Sequence, residues 1–434
     1  MAILSCPQAF HLTPDALSFT GPGDRFQKNL AALKLIHQLE AEGRLATSEE
    51  RLALAHYSAF GESALLNQLF RYDPAASRYV LHDSYAAFLS SDDARQLRIA
   101  ALTAFYTPLD IVAAIWQAVL QLGLGDLERP RIIEPAAGVG HFISAMPPEL
   151  RAKAEITAVE LDPVTARILS CIHPDITLYG GAGFERVDLP PNGYDLAISN
   201  VPFGEMAVHD PHIPAALRHQ LHDYFFAKAL RLVRPGGLIV FLTSWGTLDK
   251  QARAVRAFLA EQATLLGAFR LPNGVFRRIS GSESATDLLI LQKKTRPEAE
   301  QPRWLTIAEA DYLRSTEHRS MTVGSRYTRE FKDPEELAAR LVRTAYREAL
   351  PPGGYLAISH MTSDGPPPNA VARFERVFDK VRESMTMRPR DRIRGFFGDL
   401  ELVEPGLVDG ADWHPDEDET PASNWLAGGV ARKV

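Results

Sequence analysis

At 434 residues the chain is long enough for roughly two to three domains. Its 47 Lys and Arg against 54 Asp and Glu give a net charge of −7, which argues against a surface coated with nucleic-acid-binding charge but not against a local basic groove. Its two cysteines, Cys6 and Cys171, provide neither a disulfide framework nor metal spacing, and no apolar run could span a bilayer or act as a leader; a cytoplasmic setting fits.

The first elements are helical. Phe26, Leu30, Leu33, Ile36 and Leu39 recur at helical spacing, and Gly43 ends the run. Thr47-Ser-Glu-Glu50 has the form of a capping box opening a second helix. Short helical pieces continue to about Ala104, so residues 1–104 read as a helical N-terminal domain. Phe105-Tyr-Thr-Pro108 then leads into an apolar helix, with Thr107 and Pro108 spaced as an N-cap and first-turn pair. The N–H groups of such a helix start can also receive a carboxylate.

Arg131-Ile-Ile-Glu134 is a short strand running into Pro-Ala-Ala-Gly138-Val-Gly140-His-Phe142, a glycine turn that opens a helix. Alone, a GxG turn is a weak signal, and no Lys-Ser/Thr follows to make a phosphate loop. About 20 residues on, Ile156 to Glu160 is a strand tipped with an acid, the position that grips ribose hydroxyls in nucleoside-binding α/β folds. Further strands are expected at 176–179, 194–199, 238–243, 264–269 and 287–291, with helices between most of them. That alternation predicts a seven-stranded, mostly parallel α/β sheet. The last two strands lack room for a crossover helix and should form a terminal antiparallel hairpin.

Asp195 to Ser199 delivers Asn200-Val201-Pro202-Phe203 to the edge of that sheet where ligands bind in such folds. By itself the tetrapeptide could be strand-to-turn punctuation. In this context the Asn200 side-chain oxygen and the Val201 carbonyl form two acceptors, with no competing N–H at Pro202. Two acceptors can take both hydrogens of an exocyclic amine and restore its lone pair for attack on a methyl donor, while Phe203 stacks on the base. A base buried in a duplex would first have to be flipped out. Competing chemistries lack their residues: there is no Gly-x-Ser-x-Gly elbow, no cysteine placed for C5 attack and no metal spacing. His222-Asp223 lies on an aromatic-rich helix and reads as structural.

Together, Glu134-Pro-Ala-Ala-Gly-Val-Gly-His-Phe142, Asn200-Val-Pro-Phe203 and Phe105-Tyr-Thr-Pro108 resemble the motifs of S-adenosylmethionine-dependent N6-adenine DNA methyltransferases. The similar branch is the methylase region of large phage and plasmid proteins, including antirestriction proteins, often followed by a helicase. His222-Asp-Tyr-Phe-Phe-Ala-Lys228, Val233-Arg-Pro-Gly-Gly237 and Leu271-Pro-Asn-Gly-Val-Phe276 extend the likeness, which covers roughly residues 24–350. The resemblance implies a Rossmann-like fold, S-adenosyl-L-methionine as cofactor, DNA as partner and no metal. It places Thr107 on the cofactor's carboxylate, Glu134, Ala136, Gly138 and Gly140 along its methionine part, and Glu160 on its ribose. It also places Gly183 and Phe184 beside its adenine, Asn200, Val201, Pro202 and Phe203 on the target base, and Phe276 on that base's other face. Two departures stand out. Gly183 occupies a place where many members carry an Asp that contacts the cofactor's adenine amine. After residue 296 there is no large target-recognition domain or helicase, which implies loose specificity or a partner that supplies it.

On this reading residues 105–296 are the methyltransferase core, 297–350 a helical appendage containing a Pro334 to Tyr346 helix, and 351–434 linker, basic segment and acidic disordered tail. Arg388, Arg390, Arg392 and Arg394 are either phosphate contacts, or a solvated face or electrostatic mate for the acidic stretch from Asp409 to Glu419. Two other functions remain open. One is a methyltransferase-fold module kept for DNA or partner binding in an antirestriction or helicase assembly. The other is methylation of an RNA adenine or a protein glutamine.

Overall fold

Phe26, Leu30, Leu33, Ile36 and Leu39 are all buried on one face of α1 (Pro22–Glu42). Gly43 ends that helix in the left-handed region, at φ 62°, with its N–H turned back to the last turn. In the computed structural model the described residues are 9–60, 68–74, 78–100, 106–244, 246–249, 254–271, 276, 286–296, 353–367, 369–371, 373, 387, 389–394, 397, 400–409, 412 and 425–433. They fall into two units, residues 1–338 and 339–434.

The capping box forms at α2 (Ser48–Ala55): the Glu50 N–H donates to Thr47 Oγ1 at 3.2 Å, and the Thr47 N–H to Glu50 Oε2 at 2.8 Å. The buried amide of Asn29 ties α1 to the chain after α2. It donates to the Ala59 carbonyl at 2.6 Å and accepts from the Ser58 N–H at 2.8 Å. A hairpin not expected from the sequence follows, β1 (Phe70–Asp73) against β2 (Arg78–Leu81), before α3 (Ser91–Ala100). Four residues per strand are too few for an alternation signal to stand out.

The seven expected strands are present: β3 (Arg131–Glu134), β4 (Glu155–Glu160), β5 (Thr177–Gly180), β6 (Tyr194–Asn200), β7 (Val233–Ser244), β8 (Ala263–Leu271) and β9 (Thr286–Lys293). Their order is β5-β4-β3-β6-β7-β9-β8. The first five are mutually parallel; β9 runs antiparallel to both β7 and β8, as the short connection required. The intervening helices include α4 (Leu109–Gln121), α5 (His141–Ser144), α6 (Pro163–Ile172), α7 (Leu221–Leu232) and α8 (Ala254–Gln262). Runs such as Leu196-Ala-Ile198 and Leu238-Ile-Val-Phe-Leu242 are buried throughout, as central strands covered on both faces must be.

One boundary differs from expectation. The strand expected at 238–243 begins earlier: Val233-Arg-Pro-Gly-Gly237 is already strand, and Val233 pairs with Tyr194 across an irregularity. Asp195 holds it there. Its Oδ1 accepts from Arg234 Nε at 2.5 Å, and its Oδ2 from the Arg131 N–H at 2.8 Å, which joins three strands at their start.

In the second unit, β13 (Leu426–Arg432) pairs antiparallel with β10 (Tyr355–Met361), β11 (Glu401–Leu402) and β12 (Val408–Asp409). These residues, expected to be linker and disordered tail, are instead a small sheet. The inward positions of β13 are Ala427, Gly429 and Ala431, so its sequence carries no hydrophobic alternation to read. The small residues are needed for space: a Cβ on Gly429 would lie 3.1 Å from the Gly406 carbonyl and 3.2 Å from the Phe397 ring. Arg390 pairs with Asp409, the first acid of the acidic stretch, and so takes the electrostatic-mate role rather than the phosphate one. Phe105, the Pro334 to Tyr346 helix, Arg388 and the acids after Asp412 lie outside the described residues, as do Cys6, Pro272, Asn273, Gly274 and Gly281.

Candidate active site

Three adjacent parallel strands carry the candidate groups to one edge. In the order β4-β3-β6, the last residues are Glu160, Glu134 and Asn200. Parallel strands end on the same side, so the ribose acid, the turn acid and the amide share the carboxyl edge of the sheet centre, where the strand order reverses direction.

The turn after β3 does two different jobs. Gly138 has φ +55°, and its N–H donates to Glu160 Oε2 at 2.7 Å, which ties the turn to the acid at the end of β4. A Cβ there would come 3.0 Å from the Tyr106 ring. Gly140, at φ +82°, serves packing instead: a Cβ would meet Leu169 of α6 at 2.6 Å and His173 at 3.1 Å. Close helix approach therefore leaves no room for a side chain at Gly140. Ala136 accepts at its carbonyl from Ser199 Oγ at 3.2 Å, linking the turn to β6.

The acids are electrostatically strained. Burial, followed by the neighbouring Glu160, raises the Glu134 carboxyl well above the usual range, and its Oε2 has no hydrogen-bond partner among the described residues. Burial raises Glu160 to about 7, with the Asp162 carboxylate adding to it, against the N–H groups of Asp162 and Gly138. Such a cluster favours a cationic ligand or hydroxyl donors.

The chain before the sheet closes the site from another side. Thr107 is buried directly before α4, but it does not cap the helix: Pro108 is the N-cap residue, and Thr107 Oγ1 has no partner among the described residues. Tyr57, just past α2, is wholly buried. Burial lifts both its phenol and that of Tyr106 well above normal; Asp162 adds to the rise at Tyr57, and Glu160 at Tyr106. The two segments are also joined through a side chain: Nε2 of His141, the first residue of α5, lies 2.9 Å from the Ala55 carbonyl. Sequence reasoning missed Tyr57, which lies in no motif, and gave Tyr106 no role of its own within Phe105-Tyr-Thr-Pro108.

At Asn200 the strand ends and the site begins. Asn200 and Phe203 are partly exposed, but Val201 is 1% exposed and belongs to the core. Its N–H donates to the Leu242 carbonyl at 3.0 Å. The side chain of residue 201 therefore matters for packing. The loop that follows is held by a buried network: Asp210 accepts from Tyr224 Oη at 2.7 Å and lies 3.6 Å from Lys228 Nζ. Lys228 in turn donates to the carbonyls of Phe184 at 2.5 Å and Val187 at 3.1 Å. His222 and Asp223 are both buried on α7, as a structural role requires.

Phe184 packs into the core. It is 3% exposed, with its ring 5.1 Å from that of Phe225 and Lys228 Nζ 4.8 Å from its centroid. Gly183 has ordinary angles, φ −69° and ψ 147°, and a Cβ there would collide at 2.3 Å with both carboxylate oxygens of Glu185. Phe276 is buried, and the residues on either side of it are outside those described. Among the described residues no group of three or more His, Cys, Asp or Glu could hold a metal ion, and no helix is long and apolar enough to cross a membrane.

Comparison with known proteins gives one family match, to the S-adenosyl methyltransferases, over residues 329–434. That stretch follows the seven-stranded sheet and does not include the site above. S-adenosylmethionine is the cofactor named by the matching family. Among solved structures, the chain is similar to the methyltransferase subunit of a type I restriction-modification system from Streptococcus thermophilus. The identity is 16% over 63% of this chain and 79% of that one, with a TM-score of 0.37. It is also similar to a protein assigned to the class I S-adenosylmethionine-dependent methyltransferases from Listeria monocytogenes, at 19% identity, 64% and 92% coverage and a TM-score of 0.39. A third is TYW2 of Pyrococcus horikoshii in complex with MeSAdo, at 18% identity, 42% and 64% coverage and a TM-score of 0.27. At these scores each is a likeness only.

Proposed function

We propose that the chain is an S-adenosylmethionine-dependent methyltransferase acting on the N6 amine of adenine in DNA. The observation that carries this is the placing of Glu160, Glu134 and Asn200 on the ends of three neighbouring parallel strands. The site suits the cofactor chemically. Thr107 Oγ1 and Glu134 Oε2 are buried without partners among the described residues, and a buried polar group left unpaired is costly unless a ligand satisfies it. Thr107, with the N–H groups opening α4, would take the amino-acid carboxylate. Glu134 would take the ammonium, Glu160 the ribose hydroxyls, and the Gly138 backbone would pass close to the methionine part. When bound, the cofactor supplies the methyl group on a cationic sulfur.

The residues of β6 and its loop would then do the rest. Asn200 Oδ1 and the Val201 carbonyl accept the two amine hydrogens, which shifts the nitrogen toward a tetrahedral geometry and frees its lone pair. Pro202 leaves that carbonyl without a competing neighbour donor, and Phe203 stacks on the base. Phe276 would cover the other face. The target adenine must leave its stack to reach this edge. Residues 105–296 form the core on this reading, with 1–104 and the C-terminal segments serving DNA, a helicase or another mobile-element partner.

Radiolabelled S-adenosylmethionine incubated with the protein and mixed-sequence DNA tests the proposal: label should appear in N6-methyladenine. Asn200→Ala should lose transfer and keep cofactor binding. A wild-type protein that binds cofactor but never labels adenine in DNA would refute it, and RNA or peptide substrates in the same assay would identify the other amine acceptors. One observation favours the non-catalytic reading: both Glu160 oxygens already accept backbone N–H groups. Calorimetry without cofactor heat, beside measurable DNA binding, would establish that alternative.

A further inference from the structure

We infer that Tyr57, from the helical segment before the sheet, is a positioning residue for Glu160: it holds the turn that aims this acid. The inference rests on the reading of Glu160 as the acid that takes ribose hydroxyls. It starts from a connection that is buried where connections are ordinarily exposed. Tyr57, Ser58, Ala59 and Phe60 follow α2 without helix or strand, and none is more than 4% exposed. Ala59 is left-handed at φ 55°, a costly conformation for a residue with a Cβ. The fully buried Asn29 side chain of α1 clamps it, donating to the Ala59 carbonyl at 2.6 Å and accepting from the Ser58 N–H at 2.8 Å. The rings of Phe26 and Tyr57 pack edge-on to Phe60, at 6.1 and 6.2 Å. Packing explains every side chain of this turn except the Tyr57 hydroxyl. A phenylalanine at 57 would fill the same space with no polar group to bury.

That hydroxyl meets the start of α6. α2, which delivers Tyr57, packs on α6. The Tyr57 phenol faces the Thr165 hydroxyl, with Asp162, Tyr106 and Glu160 around it. Thr165 Oγ1 gives its own hydrogen to Asp162 Oδ2 at 2.5 Å, so toward Tyr57 it accepts and Tyr57 donates. The Tyr106 phenol faces the same oxygen, whose two lone pairs can take both donors. Asp162 caps α6 by accepting from the Val164 and Thr165 N–H groups, each at 3.2 Å. Its own N–H donates to Glu160 Oε1 at 2.8 Å. A line of contacts, Tyr57 to Thr165 to Asp162 to Glu160, thus runs from the helical segment to the acid at the end of β4. Asp162 fixes Oε1 and the Gly138 N–H fixes Oε2 at 2.7 Å, and each oxygen keeps a lone pair for a ribose hydroxyl. Loosening the cap at Thr165 turns Glu160 from its aim and leaves the rest of the edge in place.

The test is calorimetric and needs no turnover. 5′-Methylthioadenosine and its 2′,3′-dideoxy analogue, which lacks both ribose hydroxyls, are titrated into the full chain. The wild type should prefer the ribose form about ten- to a hundredfold, the range for a hydrogen bond to a charged group. Tyr57→Phe should cut that preference about fivefold, as loss of one neutral hydrogen bond does, while binding of the dideoxy form stays within about twofold. Thr165→Val, which removes the acceptor shared with Tyr106, should cut the preference further. In a Glu160→Gln background Tyr57→Phe should change neither constant, because the residue it positions is already disabled. A preference unchanged in Tyr57→Phe, or an equal loss for both nucleosides, overturns the inference and leaves the pocket reading standing. A wild type that binds both nucleosides alike, or neither, overturns both.

Discussion

Glu160 should make nucleoside binding depend on pH in a way that isolates its role. Its carboxyl is held at about 7 in the free protein, chiefly by burial and then by Asp162. Ribose hydroxyls donate to the ionised form, so a bound nucleoside stabilises that form and binding releases a proton below pH 7. The ionised fraction falls about tenfold between pH 8 and pH 6, so the dissociation constant should rise about tenfold, or about 1.4 kcal/mol. Above roughly pH 8 it should level off. The ligand to use is 5′-methylthioadenosine, because it lacks the amino-acid group whose own titration would mix in. Calorimetry in buffers of different ionisation enthalpy reads the released proton directly. Glu160→Gln should bind more weakly, with no pH dependence. A wild-type constant that stays flat from pH 6 to 8, or one that varies equally in Glu160→Gln, would refute the reasoning. The same shift has a consequence for folding. A carboxyl whose folded-state value is raised contributes stability below its unfolded value, and that stability is lost as pH rises through about 7.

Other expectations follow from packing. Val201→Pro should lower thermal stability by about 1 kcal/mol or more, since it removes the N–H that donates to Leu242; an unchanged melting curve would contradict that bond. Lys228→Met should cost about 2–3 kcal/mol in denaturant unfolding, because it strips the Phe184 and Val187 carbonyls of their donor and leaves Asp210 without its cation. Gly140→Ala should cost a similar amount, about 2–3 kcal/mol, from left-handed backbone strain and the 2.6 Å approach to Leu169. Cofactor binding measured in the remaining folded protein should change much less there than in Gly138→Ala, whose residue touches Tyr106 and Glu160.

The sequence alone determined the seven strands, their largely parallel sense and the order in which Glu134, Glu160 and Asn200 occur. Those features depend on local rules: buried strands read as apolar runs, glycine marks turns, and a short connection forces an antiparallel pair. It also determined the capping box at Thr47 and the stop at Gly43, each written in a few neighbouring residues. Tertiary structure decided everything that depends on what lies opposite a residue. Gly138 and Gly140 look alike in the sequence, yet one faces Tyr106 and the other α6. Phe184 could have faced a ligand or the core, and α7 with Lys228 decided for the core. The C-terminal sheet was illegible because its central strand turns Ala-x-Gly-x-Ala inward, which no hydrophobicity pattern can register. Gly183 carried no information until Glu185 was found folded into the space beside it. A vacancy and its occupant two residues away are related only by the backbone turn between them.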